Sequence, residues 1–575
     1  MGMAVTTRAI EILLASLVVL RAFAPFQPLR WVWGLDVIRF LGPLLGWGLW
    51  AVLALSVLPE VARRVRLDAL GDALADSPWS PALAGLLMFT LVFALPDRVW
   101  FVGDFLMRQG NVEANFAAGN YVAGMPLDWF LHSVLLRALG GGSQESANLA
   151  LRTLGAVEAF VLGVLGVWLA RALETRGAAA VTVTWIALFG GTLTMFTGLG
   201  KPASELCLLV LGLGVGAVRA LRGKESLLPL GLTVGIALLL HRSSVALLPA
   251  WGLILRQWWR RRKPAERRGW KNWTGIVAPL LALALGLPRI MTLLLQYDLS
   301  HHLAPDSLRR PGVLAAAFSG SHLISLLNLL LALSPLFLLG VLLLVLRPAR
   351  LREPAVTPLA ALAGTFLLLM LFVHPQQGLF RDWDVFAPAG MSFSVLAAVL
   401  LPAAIARPSW LALPIALSAM IPSLQWLILN AQEEVGLARV RTYLTQTSEP
   451  GGAQAWDFLA ARYMRLQRWP DAANAAAHAA ELAPHRRILL TWALAETMKP
   501  DDRAAQGVYR RLLSQDREDP LAWIGVAGTA TRLRDSLSAR EALDSVRSLS
   551  ADPAKAAEIR RHLEHFPQVW SDSLR

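Results

Sequence analysis

The chain has 575 residues, of which 55% are hydrophobic and 16% charged, and its mean hydropathy is +0.50; this excludes a soluble globule and fits a protein that crosses a membrane many times. The 54 Lys and Arg against 40 Asp and Glu give a net charge of +14, but much of that excess lies in short loops between apolar segments, where it orients helices rather than binding nucleic acid. The single cysteine, Cys207, excludes an internal disulfide and a thiolate metal cluster.

Apolar segments recur up to about residue 430, and the expected spans are 9–26, 34–58, 80–97, 150–170, 178–197, 203–218, 227–241, 243–258, 274–296, 321–346, 355–373, 385–405 and 409–429, about 13 in all. The first reads as a span rather than a cleaved leader, because Ala22-Phe23-Ala24 runs into Pro25. Residues 1–79 hold the first spans, 80–430 the main membrane region, 431–451 a linker and 452–575 a polar domain. The fold class expected is all-α.

Orientation follows from the densest basic loop, Arg256 to Lys271, which is expected on the cytoplasmic side as an anchor on anionic lipid. By parity Arg63, Arg64, Arg66, Arg171, Arg176, Arg347, Arg350 and Arg352 fall on the same side. Loops 98–149, 297–320 and 374–384, and everything after Leu429, then lie outside. Arg219, Arg222 and Lys224 share the cytoplasmic side with the Arg256 cluster, so two short helices are expected between them, turning back at His241-Arg242-Ser243-Ser244. One long tilted helix is the alternative.

Ionised groups at or near bilayer depth are costly and mark functional sites. Those that interrupt or border apolar helices here are Asp104, Lys201, His241, Arg242, Arg381 and Asp384. In the first long loop, Met125-Pro126-Leu127-Asp128-Trp129 begins a short run to Leu139, interfacial or re-entrant, with Trp129 and His132 suited to the headgroup zone. Glu113 and Asp128 in this loop read as helpers of a site or as solvated acids. Asp298, His301, His302 and Asp306 offer metal ligands by type, but the spacing matches no zinc pattern. In the loop 374–384, Arg381-Asp382-Trp383-Asp384 admits three readings: Arg381 on a phosphate, Asp382 or Asp384 on a cation or on sugar hydroxyls, and Trp383 on a sugar face or at the interface. A local Arg-Asp ion pair beside an anchoring Trp is the plain alternative.

Beyond residue 430 the pattern turns amphipathic and polar. Trp456, Leu459, Ala460, Tyr463, Ala472, Ala476, Ala479 and Pro484 have the spacing of a tetratricopeptide repeat; Trp492 to Pro520 and, more loosely, Trp523 to Pro553 follow it.

The membrane part resembles the GT-C-type glycosyltransferases, polytopic enzymes that use sugars carried on a polyprenyl phosphate. The resemblance covers about residues 80–430 and rests on Gly103-Asp104-Phe105-Leu106-Met107-Arg108 after a span, Gly124-Met125-Pro126-Leu127-Asp128-Trp129-Phe130-Leu131, Gly198-Leu199-Gly200-Lys201-Pro202-Ala203-Ser204-Glu205, and Leu240-His241-Arg242-Ser243 followed by Leu247-Leu248-Pro249-Ala250. It implies transfer of a sugar to an acceptor hydroxyl on the extracytoplasmic face; the basic loops place the repeats outside and the N-terminus inside, and the abundance of Ala, Arg, Leu and Trp with little Lys points to a bacterial cytoplasmic membrane. Asp104 is then the base that takes the acceptor's proton. Arg381, Arg242, His241 and Lys201 face the leaving phosphate. Asp128, Glu205, Trp383 and Asp384 contact sugar or acceptor. Phe105 stands where relatives often carry a second acid, so the use of a divalent cation stays open. The partners implied are the lipid-linked sugar and a protein or glycan acceptor held by the repeats, with no nucleic acid. A non-catalytic scaffold of envelope polysaccharide assembly, and an oligosaccharide ligase or polymerase, are the rival readings.

Overall fold

The computed structural model describes residues 2–103, 108, 116–119, 124–140, 144–303, 312–405, 409–447 and 451–565. Every regular element among the described residues is helical, and the chain divides into two units, Met1–Tyr443 and Leu444–Arg575. The division falls inside the segment expected to be a linker. That segment contains a helix, Glu433–Leu444.

Among the described residues of the first unit, six helices are long and apolar enough to cross a membrane: Val5–Phe26, Asn148–Ala172, Pro202–Leu221, Trp270–Leu303, Trp383–Leu400 and Ser409–Ala431. Two bent pairs, Asp68–Asp76 with Ser80–Ala94 (108°) and Gly320–Leu333 with Phe337–Leu346 (102°), raise the number to eight. This is a membrane protein. Several expected spans are shorter than the apolar run that announced them, and the breaks have local causes. The run 34–58 is helical in earnest only over Leu44–Ser56, after Gly42-Pro43. The run 178–197 stops at Leu188, before Gly190-Gly191. The run 321–346 bends at Ser334-Pro335, where proline denies the preceding residue helical geometry.

The sequence around His241 forms two helices, Leu228–Leu240 and Leu248–Arg261, joined by a 3-10 turn over Arg242–Leu247. Leu228–Leu240 runs alongside Trp270–Thr292, and a methyl group on Gly231 would lie 2.0 Å from the carbonyl oxygen of Gly275. Glycine at both positions permits this approach. On Trp270–Thr292 the buried positions are Gly275, Pro279, Ala282, Gly286 and Ile290, one face at helical spacing, while Leu280, Leu281 and Leu285 point outward. Small residues inward and leucines outward is the pattern a lipid environment selects. The helix Ala387–Leu400 is buried on all sides and forms the centre.

The basic loops that follow helices gather at one end. There Arg222 donates to the Ala172 carbonyl at 2.9 Å and pairs with Glu174 at 3.2 Å, Arg262 reaches the Ala220 carbonyl at 3.2 Å, and Arg176 pairs with Asp76 at 2.8 Å. At this end too, Arg350 donates to the carbonyl of Leu400 at 3.2 Å. The helices Pro202–Leu221 and Ala387–Leu400 run from there to the opposite end, which carries Lys201 and Asp384.

The second unit is a row of helical hairpins: Gly452–Arg465 with Trp469–Leu482, Arg486–Met498 with Asp502–Gln515, and Pro520–Arg532 with Ser536–Leu549, followed by Pro553–His565. Trp456, Leu459, Ala460, Tyr463, Ala472, Ala476 and Ala479 are all buried between the first two helices and their neighbours. Asp501, Asp519 and Asp535 cap successive helices through the amides of Ala504, Ala522 and Ser538. Gln467 and Arg534, at matching turns of the first and third hairpins, share a left-handed backbone.

Candidate functional site

Four of the singled-out positions meet at the end opposite the basic loops. Lys201 precedes the helix Pro202–Leu221 in extended conformation, set by Pro202 at the first helical position. Its ammonium donates to the Asp384 carboxylate at 2.8 Å, with both side chains buried. Asp384 lies in the 3-10 turn Trp383–Phe386 that opens Ala387–Leu400. The same loop turns at Gly378, whose carbonyl accepts from the amides of Arg381 and Asp382 at 3.3 and 3.0 Å.

The first loop enters this cluster through Gly103. Its carbonyl accepts from Arg381 Nη2 at 3.5 Å, and a methyl group on it would lie 2.8 Å from Asp382 Oδ1 and 3.0 Å from Lys201 Nζ. Its φ of +31° is one that side chains resist. Arg381 is also held over the ring of Phe101, 5.1 Å from its centre. Lys201, Arg381, Asp382 and Asp384 are all at least nine-tenths buried. Burying so many ions in an apolar bundle costs several kcal/mol each unless they are paired. Asp104, the expected base, follows Gly103 directly; it lies outside the described residues, as do Glu113 and Asp306.

A second chain, in which Asp128 and His132 are buried and Arg108 and Glu205 half-buried, adjoins the first. Arg108 pairs with Asp128 at 2.5 Å, Asp128 with Nδ1 of His132 at 2.9 Å, and Nε2 of His132 with Glu205 at 3.3 Å. Asp128 and His132 lie four apart on the helix 126–138 and so share a face. Glu205 also meets the Ser204 hydroxyl at 3.1 Å, which donates to the Lys201 carbonyl at 2.8 Å and so joins the two chains. Burial alone would raise the Asp128 pKa, but Arg108 and His132 hold it well below the usual carboxylate range. Burial likewise works against charge on His132, yet Glu205 and Asp128 outweigh it and push its pKa up to about 10. His132 is therefore a buried cation between two carboxylates and not the headgroup-zone residue expected of it. Asp128 is 1% exposed and committed to the same chain.

Arg242 makes a bidentate pair with Asp298, Nε to Oδ2 at 2.5 Å and Nη2 to Oδ1 at 2.8 Å, and lies 5.6 Å from the ring centre of Tyr297. His241 is turned to its own loop, with Nδ1 2.7 Å from the Ser243 hydroxyl. Trp383 is buried against Trp426, ring centres 5.0 Å apart, an inward placement rather than an interfacial one. His301 stacks on Tyr297 at 4.5 Å, and among the described residues no three His, Cys, Asp or Glu side chains are grouped to hold a metal.

Sequence reasoning passed over Glu158, which is buried within hydrogen-bonding reach of Glu205 and Ser204. Its signal was present: a lone carboxyl in the middle of an apolar helix. Arg108 carried no comparable signal, since only the fold brings it to Asp128. Alternating cations and carboxylates of this kind suit a reaction in which a hydroxyl loses a proton while an anionic group departs. No family model, no curated protein and no solved structure matches this chain.

Proposed function

We propose that this protein is an integral membrane glycosyltransferase that moves a sugar from a polyprenyl-phosphate-linked donor to an acceptor hydroxyl at the extracytoplasmic face. The observation that carries the reading is the meeting of Arg381, Asp382, Asp384 and Lys201 around Gly103, the residue that precedes Asp104 in the sequence, at one end of an otherwise apolar bundle. An apolar bundle gives a greasy carrier lateral access, and buried cations are suited to the phosphate it leaves behind. In this reading Asp104 takes the acceptor's proton and Arg381 and Lys201 stabilise the departing phosphate. Arg242 joins them where the phosphate displaces Asp298. The chain Asp128–His132–Glu205 fixes the first loop to the helix Pro202–Leu221.

The gathering of the basic loops at one end supports an orientation with that end cytoplasmic and the site outside, in a topology of about 13 passes that counts the shorter apolar helices as well. The abundance of Ala, Arg, Leu and Trp with little Lys supports a bacterial cytoplasmic membrane. The hairpins of the second unit, with their small buried alanines, support a tetratricopeptide-type stack that presents a surface to a protein or glycan acceptor.

The test is transfer by purified full-length protein in vesicles containing polyprenyl-phosphate-linked sugars. Asp104→Asn and Arg381→Ala are expected to lower turnover by about 100-fold or more while leaving the protein folded. Full activity in both variants, with loss of function on Tyr463→Ala, would instead mark a non-catalytic scaffold whose repeats do the work.

A further inference from the structure

The loop that carries Arg381, Asp382 and Asp384 is held by a helix outside the cluster. Phe380, the residue before Arg381, lies flat on Tyr443, with ring centres 3.7 Å apart and 13° between planes. It meets Trp33 edge-on at 5.6 Å, and the Arg439 guanidinium sits 4.9 Å from the centre of the same ring. Arg439 and Tyr443 are four apart on the helix Glu433–Leu444 and so act from one face. Arg439 is itself fixed, donating to the Trp33 carbonyl and lying 3.6 Å from the carboxylate of Asp36, with all three residues buried.

The first site segment is held from the same side. Arg98 donates its amide to the Asn430 carbonyl at 2.9 Å, and the Asn430 side chain donates to Asp97 at 3.2 Å. Val99 packs so closely on Gly436 that an added methyl group would lie 2.1 Å from it. Phe101 then touches both the Phe380 ring, at 5.9 Å, and the Arg381 guanidinium, at 5.1 Å. Gly436 on the helix Glu433–Leu444, with Asn430 at the end of the helix before it, thus braces the first segment, and Arg439 and Tyr443 brace the second.

We infer that Phe380 is a positioning residue of the site and that the helix Glu433–Leu444, which leads into the second unit, is the clamp that sets it. The clamp acts by stacking: the Tyr443 ring fixes the Phe380 ring, and the adjoining peptide aims Arg381 at Gly103. That aim has little slack. The Arg381-to-Gly103 hydrogen bond is already 3.5 Å long, so a slip of about 1 Å breaks it, and misplacement of that size costs on the order of 100-fold in rate. The nature of the transferred group rests on the proposed function; the clamp does not.

The test uses full-length protein with Tyr443→Ala, Tyr443→Phe and Phe380→Leu, reading backbone hydrogen exchange across 374–386 alongside transfer kinetics. Tyr443→Ala and Phe380→Leu are expected to speed exchange of the Arg381 and Asp382 amides by about tenfold. Exchange in the helix Pro202–Leu221 stays unchanged, which separates a loosened loop from a misfolded protein. In the same two variants kcat/KM for the lipid-linked donor falls roughly 10- to 100-fold. Tyr443→Phe keeps the ring and stays within roughly twofold of wild type in both measurements. Unchanged exchange at 374–386 in Tyr443→Ala, or a Tyr443→Phe variant as impaired as Tyr443→Ala, overturns the inference. If the exchange responses appear but wild-type protein transfers no lipid-linked sugar, the clamp stands and the glycosyltransferase reading falls.

Discussion

Removing one member of the Lys201–Asp384 pair tests whether the cluster is a set of mutually dependent charges. The two groups are 2.8 Å apart and both are buried. At an effective dielectric of about 20 their attraction is about 6 kcal/mol, and desolvation of two ions offsets most of it. The pair as a whole therefore contributes little net stability, whereas stranding one charge costs about 3–5 kcal/mol. Lys201→Met and Asp384→Asn should each destabilise the first unit by that amount. The double variant, with both charges gone, should fall short of the sum of the two by at least about 2 kcal/mol. The assay is chemical unfolding in mixed micelles, comparing all four proteins at one pH and ionic strength. Strictly additive losses would refute the coupling, and with it the claim that burial forces these ions to depend on one another.

Gly103→Ala should lower transfer activity by roughly 10- to 100-fold with little change in expression, because its methyl group must displace Asp382 or Lys201 from a backbone already at φ +31°; wild-type kinetics in this variant would show that the close approach is dispensable. His132, with its pKa raised to about 10, is charged in the folded protein across the range where the unfolded chain has lost that proton. Its contribution is fully present below about pH 6.5 and declines to nothing as pH rises through about 10, by up to about 1.4 kcal/mol per pH unit. His132→Gln should flatten that part of the stability profile, and an unaltered slope would place the titration elsewhere.

Much of this architecture was open to one-dimensional reasoning. The apolar runs, the basic loops and the Trp-to-Pro interval of the last 120 or so residues are local patterns, and hydropathy and helical period report them directly. The turn at His241 was equally legible, because two basic clusters on one side allow no single crossing between them. Charges in apolar surroundings marked Lys201, Arg381 and Asp384 for the same reason.

Pairing was not legible. Nothing local to Arg242 says that Asp298 receives it, or that Arg108 reaches Asp128, since each pair joins segments that only the packed bundle brings together. His132 reads as interfacial by type, whereas the packed bundle buries it and sets Glu205 against its other nitrogen. The segment 431–451 reads as a linker between two domains; that Arg439 and Tyr443 reach the Phe380 ring across more than 50 residues of chain is a product of the packing. Composition and period decide which segments are helices and which groups are costly to bury. Only tertiary packing decides which partner offsets each buried charge, because that depends on distances between residues far apart in the chain.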